Sequence, residues 1–76
     1  MGNYIFTPFG RFLRNYRFRN GIILKEMADA LQISPAELCK IEFGRKNPPK
    51  DWKILIPQIY KFNKQELDEF KKVFSS

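Results

Sequence analysis

LKEMADALQISPAELCKIEFG, residues 24–44, decides how this chain is read. Leu24, Met27, Ala28 and Leu31 stand at i, i+3, i+4 and i+7, the spacing of one helical face. That predicts a helix over 24–31. Gln32 and Ile33 follow, then Ser34-Pro35-Ala36-Glu37. A serine hydroxyl caps a helix, and a proline at the first helical position loses no hydrogen bond. A glutamate three residues after the cap can reach back to the cap amide. A second helix is therefore expected over 35–43, with Leu38 and Ile41 inward. Gly44 offers it a left-handed stop. The stretch reads as two short helices joined by a tight turn.

Around it, 76 residues make one small domain, expected to span 1–76. A chain of this size is only marginally able to bury a core. Hydrophobic residues make up 43% and aromatics 16%, with eight Phe, enough to build one core and to argue against disorder. One Cys and no His leave no internal disulfide and no structural metal site. Cys39 reads as a small filler on the second helix of the turn. No secretory signal and no run of about 20 apolar residues is visible, so a cytoplasmic protein without a membrane span is expected. Net charge is +6. Residues 1–20 carry four arginines (11, 14, 17 and 19) and no acid, so the basic excess lies on the first helix. A basic domain points to a polyanion.

In chain order, residues 1–6 read as an extended arm, because Tyr4, Ile5 and Phe6 are β-prone. Two fates are open to it: packing on its own domain, or pairing with a partner subunit. Thr7-Pro8 predicts the start of a first helix, with Phe9, Phe12, Leu13 and Tyr16 inward and Arg11 and Arg14 outward. Asn20-Gly21 ends it. Ile23 stands at the next cap position and cannot cap. After Gly44, Arg45-Lys46-Asn47-Pro48-Pro49 is a basic loop. A fourth helix begins near Asp51, with Trp52, Leu55, Ile56 and Ile59 on one side. Pro57 falls inside that stripe, where a kink or break is expected. Asn63 and Glu66 signal a fifth helix running to about Phe74, with Leu67, Phe70 and Phe74 on one face and Val73 at its edge. Phe70, Val73 and Phe74 either close the core of one chain over Trp52 and Ile59 or pair with a second copy.

A helix-turn-helix motif over about 24–43, within five short helices, resembles the Cro and phage-repressor domains, the xenobiotic-response-element-like family. Gly21, Glu26, Ala28, Leu31, Ile33, Ser34, Leu38, Ile41, Glu42, Gly44 and Arg45 carry the resemblance over roughly residues 8–70. It implies an all-α fold, the five-helix lambda-repressor-like helix-turn-helix DNA-binding domain. By that resemblance, Glu42 pairs with Arg17 and ties the first helix to the third. It also implies which positions face DNA. Pro35, Ala36, Glu37 and Lys40 lie on the outward side of the recognition helix, 35–43. Leu24, where relatives often have Gln, and Lys25 lie at the start of the preceding helix. Phe43, Arg45, Lys46 and Asn47 face phosphates. Lys40 can donate to guanine, Glu37 can accept from cytosine N4, and Ala36 can touch a thymine methyl.

Three function classes follow. The first is a sequence-specific double-stranded DNA-binding transcriptional regulator, bound as a homodimer to two half-sites: a small Cro-like repressor or an antitoxin. The second is a protein–protein interaction module on the same scaffold, using Leu24, Phe18, Phe43 and the aromatic last helix. The third, an enzyme, finds no His, no paired acids and no glycine-rich phosphate loop, and no cofactor or catalytic residue is expected.

Overall fold

A computed structural model describes residues 5–74, so residues 1–4 of the expected arm lie outside it. The described residues form five helices and no strand: α1 (Pro8–Asn20), α2 (Leu24–Ala30), α3 (Pro35–Glu42), α4 (Trp52–Tyr60) and α5 (Lys64–Phe74). This is the all-α helix-turn-helix fold.

The helix starts obey local chemistry. The Thr7 hydroxyl accepts the Gly10 N–H at 3.0 Å, with Pro8 in the first turn. Ser34 does the same for Glu37 at 3.1 Å, with Pro35 behind it. At α5, Asn63 and Glu66 exchange both bonds of a capping box, at 2.8 and 3.0 Å. Ile23 offers no side-chain cap to α2, but the Glu26 carboxylate accepts the Ile23 N–H at 3.0 Å.

The ends of α1 to α4 share one device. A residue with positive φ follows each helix, and the next amide reaches back five residues. Gly21 (φ 65), Gln32 (φ 61), Gly44 (φ 79) and Lys61 (φ 49) take the left-handed position. The amides of Ile22, Ile33, Arg45 and Phe62 then donate to the carbonyls of Arg17, Ala28, Lys40 and Pro57, at 2.9 to 3.2 Å. This is the Schellman closure. Ile22, Ile33 and Phe62 also turn their side chains onto the core.

The core gathers the expected faces: Phe9, Phe12, Leu13 and Tyr16 of α1; Met27, Ala28 and Leu31; Leu38 and Ile41; Trp52 and Ile56; and Phe70. Phe70 is its aromatic centre, with the rings of Phe9, Phe12, Phe62 and Phe74 at 5.5 to 5.9 Å. Val73 and Phe74 pack partly buried against the same cluster. The aromatic face of α5 thus closes the core of this one chain. The Tyr16 hydroxyl donates to the Tyr60 carbonyl at 3.3 Å. Burial is the first cause that raises both phenols above their usual 10.0, so both stay neutral at ordinary pH.

Pro57 does not break α4, which runs unbroken through it. Trp52 and Ile56 are buried and Ile59 packs on the core, so burial holds the turns on both sides of the ring and outweighs the hydrogen bond it removes. No helix among the described residues is long and apolar enough to cross a membrane.

Candidate nucleic-acid interface

With 100° of rotation per residue, α3 divides into two sides. Leu38, Ile41 and Glu42 point inward and are buried. Pro35, Ala36 and Lys40 are exposed, and Glu37 is half-exposed. The inward side fixes where the outward side points.

Three contacts do the fixing, and all involve Glu42. Its carboxylate, in a residue only 1% exposed, takes both guanidinium nitrogens of Arg17, the second at 3.2 Å. That guanidinium also lies 3.3 Å from the Met27 sulfur, joining α1, α2 and α3 at one point. The pair expected from the family resemblance is therefore present. The Glu42 carbonyl accepts both the Thr7 N–H at 3.0 Å and the Thr7 hydroxyl at 3.1 Å. Gly10 packs on the same carbonyl, so closely that a Cβ there would sit 2.1 Å from the oxygen. No helix signal in the sequence marks Gly10 as a close-approach residue. Its reason lies wholly in α3. Ala28 is fully buried on the inner face of α2.

The remaining candidate residues fall as follows. Leu24 is half-buried and packs on the core, so its side chain is partly spent there. Lys25 is exposed and pairs with Asp29 at 3.0 Å, one turn on. Arg45 and Asn47 are exposed on the loop after α3. Lys46 is brought to Glu37, and their side chains form an ion pair, 53% and 34% exposed. The backward reach of Glu37 to the Ser34 amide, expected from the sequence, is not made. The carboxylate turns to Lys46 instead, a charge-assisted partner that the Gly44 turn brings alongside.

Phe43 is half-buried beneath Phe6, with ring centroids 4.2 Å apart and planes 17° from parallel. The Arg14 guanidinium lies over the Phe6 ring at 4.3 Å. Of the arm, then, Phe6 packs on its own domain. Arg14 is a contributor that the helical pattern alone places merely outside. Among the described residues no group of three His, Cys, Asp or Glu side chains stands together to hold a metal.

A model of the helix-turn-helix domain matches residues 8–70, from the first turn of α1 to the buried Phe70. This chain belongs to the helix-turn-helix domain family. The match covers all the elements that position the outward side of α3, and its span coincides with the resemblance read from the sequence. No curated protein and no solved structure matches the chain. The family supplies the site's class. Which outward residues of this helix-turn-helix domain do the work must come from its own geometry.

Proposed function

We propose that the chain is a sequence-specific regulator of transcription, of the Cro and phage-repressor type, that binds double-stranded DNA with α3 in the major groove. The observation that carries this is the division of α3. Its inner side is locked through Glu42 to α1 and α2, while Pro35, Ala36 and Lys40 stand clear of the protein. A rigidly held helix that presents side chains at its N-terminal half is the geometry of a recognition helix. In this reading Lys40 donates to guanine and Ala36 meets a thymine methyl. Arg45 and Asn47 contact phosphates, while Lys25 at the start of α2 is already paired with Asp29. The excess of positive charge supports a phosphate partner. The regulator works in the cytoplasm by occupying its site, as a small repressor or as the antitoxin of a toxin–antitoxin pair. It binds as a homodimer on half-sites about one helical turn apart.

Selection from a random duplex library near physiological salt tests this, with Lys40→Ala alongside. A palindromic motif that the substitution relaxes at one position is expected. Enrichment of nothing, with salt-insensitive retention, would overturn it. The second reading, a protein-interaction module, has one observation behind it: Phe18 and Ile23 are 88% and 62% exposed. It gains if a stable protein partner is captured and no duplex is shifted at low salt.

A further inference from the structure

Three helices of this chain carry a glutamate at the third helical position: Glu26 in α2, Glu37 in α3 and Glu66 in α5. Two of the three spend the carboxylate on their own helix start, accepting the Ile23 and Asn63 amides at 3.0 Å each. Glu37 has the same opportunity. Its cap is in place, with the Ser34 hydroxyl on the Glu37 N–H. Yet its carboxylate points away from the Ser34 amide and onto Lys46, nine residues along the chain. The return of the loop makes this contact. Gly44 takes the left-handed position, and the Arg45 amide bonds back to the Lys40 carbonyl at 2.9 Å, which folds the loop along α3.

We propose that Lys46 is the counter-charge of Glu37 and not a phosphate ligand, and that the pair limits the indiscriminate attraction of this surface to any duplex. The inference rests on the reading of α3 as a DNA-facing helix. Two consequences follow from the chemistry. A bare carboxylate on that surface would be repelled by every phosphate, whatever the sequence; a paired one is neutral at a distance and still holds free lone pairs for a cytosine amino group at contact. In turn, Lys46 is withdrawn from the cations that bind any duplex indiscriminately, because its charge is already compensated. Lys46 is in this sense a positioning residue, acting through Glu37.

Salt dependence reads this directly, because each phosphate neutralised adds about 0.9 to the slope of log K against log salt. The experiment measures binding of the full chain to a random-sequence duplex between 50 and 200 mM salt, for the wild type, Glu37→Gln, Lys46→Gln and the double variant. Glu37→Gln frees Lys46, so its slope is expected to steepen by about 0.9, an additional loss of about 3.5-fold across that range. Lys46→Gln is expected to weaken binding while leaving the slope at the wild-type value, since it unmasks the carboxylate without removing a phosphate contact. The double variant is expected to return to wild-type affinity and slope. An unchanged slope in Glu37→Gln, together with a slope about 0.9 shallower in Lys46→Gln, would make Lys46 an ordinary phosphate ligand and overturn the inference while leaving DNA binding intact. A wild type that binds no duplex at 50 mM salt overturns the DNA reading and this inference together. Circular dichroism of each variant shows that the fold is retained, because both side chains are solvent-accessible.

Discussion

Glu37 and Glu42 lie on one helix, five residues apart, and each forms an ion pair with a cation from another segment. The resemblance ends there. Glu42 is buried, its carboxylate is held by two nitrogens of Arg17, and its carbonyl is held by Thr7. Glu37 is half-exposed and meets one lysine at the surface. The same amino acid is a piece of the fold on one side of α3 and a piece of the proposed binding surface on the other. The difference is one of solvent. Away from water, an unpaired carboxylate or guanidinium has nothing to replace its hydration; at the surface, water does so at little cost.

The sharpest way to break the contrast is to remove one partner of the inner pair. Glu42→Ala leaves the Arg17 guanidinium enclosed without its counter-charge, and a loss of about 3–5 kcal/mol is expected. That is a large part of the stability of a domain this small. Thermal unfolding followed by circular dichroism checks it. A midpoint within a few degrees of wild type would mean that the buried pair does not hold α3. Replacing both partners with apolar residues, Arg17→Met with Glu42→Leu, is expected to cost less than either single loss, because it strands no charge.

Gly10→Ala attacks the same junction from α1. The added carbon would stand 2.1 Å from the Glu42 carbonyl oxygen, which is backbone and cannot swing aside, so the two helices must part. The expected loss is about 3 kcal/mol, at the upper end for overpacking. A denaturant midpoint equal to that of wild type would show that the α1–α3 contact is looser than described.

These residues differ in how visible they are before the structure is known. The helix starts were legible because caps and first-turn prolines are local: Thr7-Pro8, Ser34-Pro35 and Asn63 with Glu66 all behave as their chemistry predicts. The ends at Gly21 and Gly44 were legible for the same reason. The ends at Gln32 and Lys61 were not, because nothing local marks a glutamine or lysine that will take positive φ. There, burial of the next residue, Ile33 or Phe62, dictates the turn. Pro57 is the opposite case: the break it allows does not occur, since its local penalty is outweighed by packing on both sides of it. Gly10 reads as an ordinary helical residue, and only α3 explains it. In the candidate site, the outward side of α3 was legible from the 3.6-residue repeat. The Glu37–Lys46 pair was not. Two short-range rules competed for one carboxylate, and a loop return decided between them.

Gln32 provides a means of sharpening the comparison. A left-handed conformation costs a side chain about 1 kcal/mol that glycine does not pay, so Gln32→Gly is expected to stabilise by about that amount. Its midpoint in urea, at unchanged slope, measures this, and a lower midpoint would show that the glutamine side chain contributes something the turn geometry does not reveal. The substitution touches neither glutamate, and as a background it widens the range over which Glu42 variants remain folded and measurable.

The smallest expected effect carries the functional half of the contrast. Glu37→Gln and Lys46→Gln should each change stability by no more than about 0.5 kcal/mol, because the pair is solvent-accessible and the Ser34 cap persists without it. Of the two, Glu37→Gln should steepen the salt dependence of DNA binding, and Lys46→Gln should weaken binding at an unchanged slope. Stability and binding would then separate on one helix, with Glu42 governing the first and Glu37 the second. A Glu37→Gln variant that lost as much stability as Glu42→Ala would erase that separation and make the outer pair a second clamp of the fold. Equal stability with altered binding would make the outer pair a determinant of how strongly the protein is drawn to any duplex.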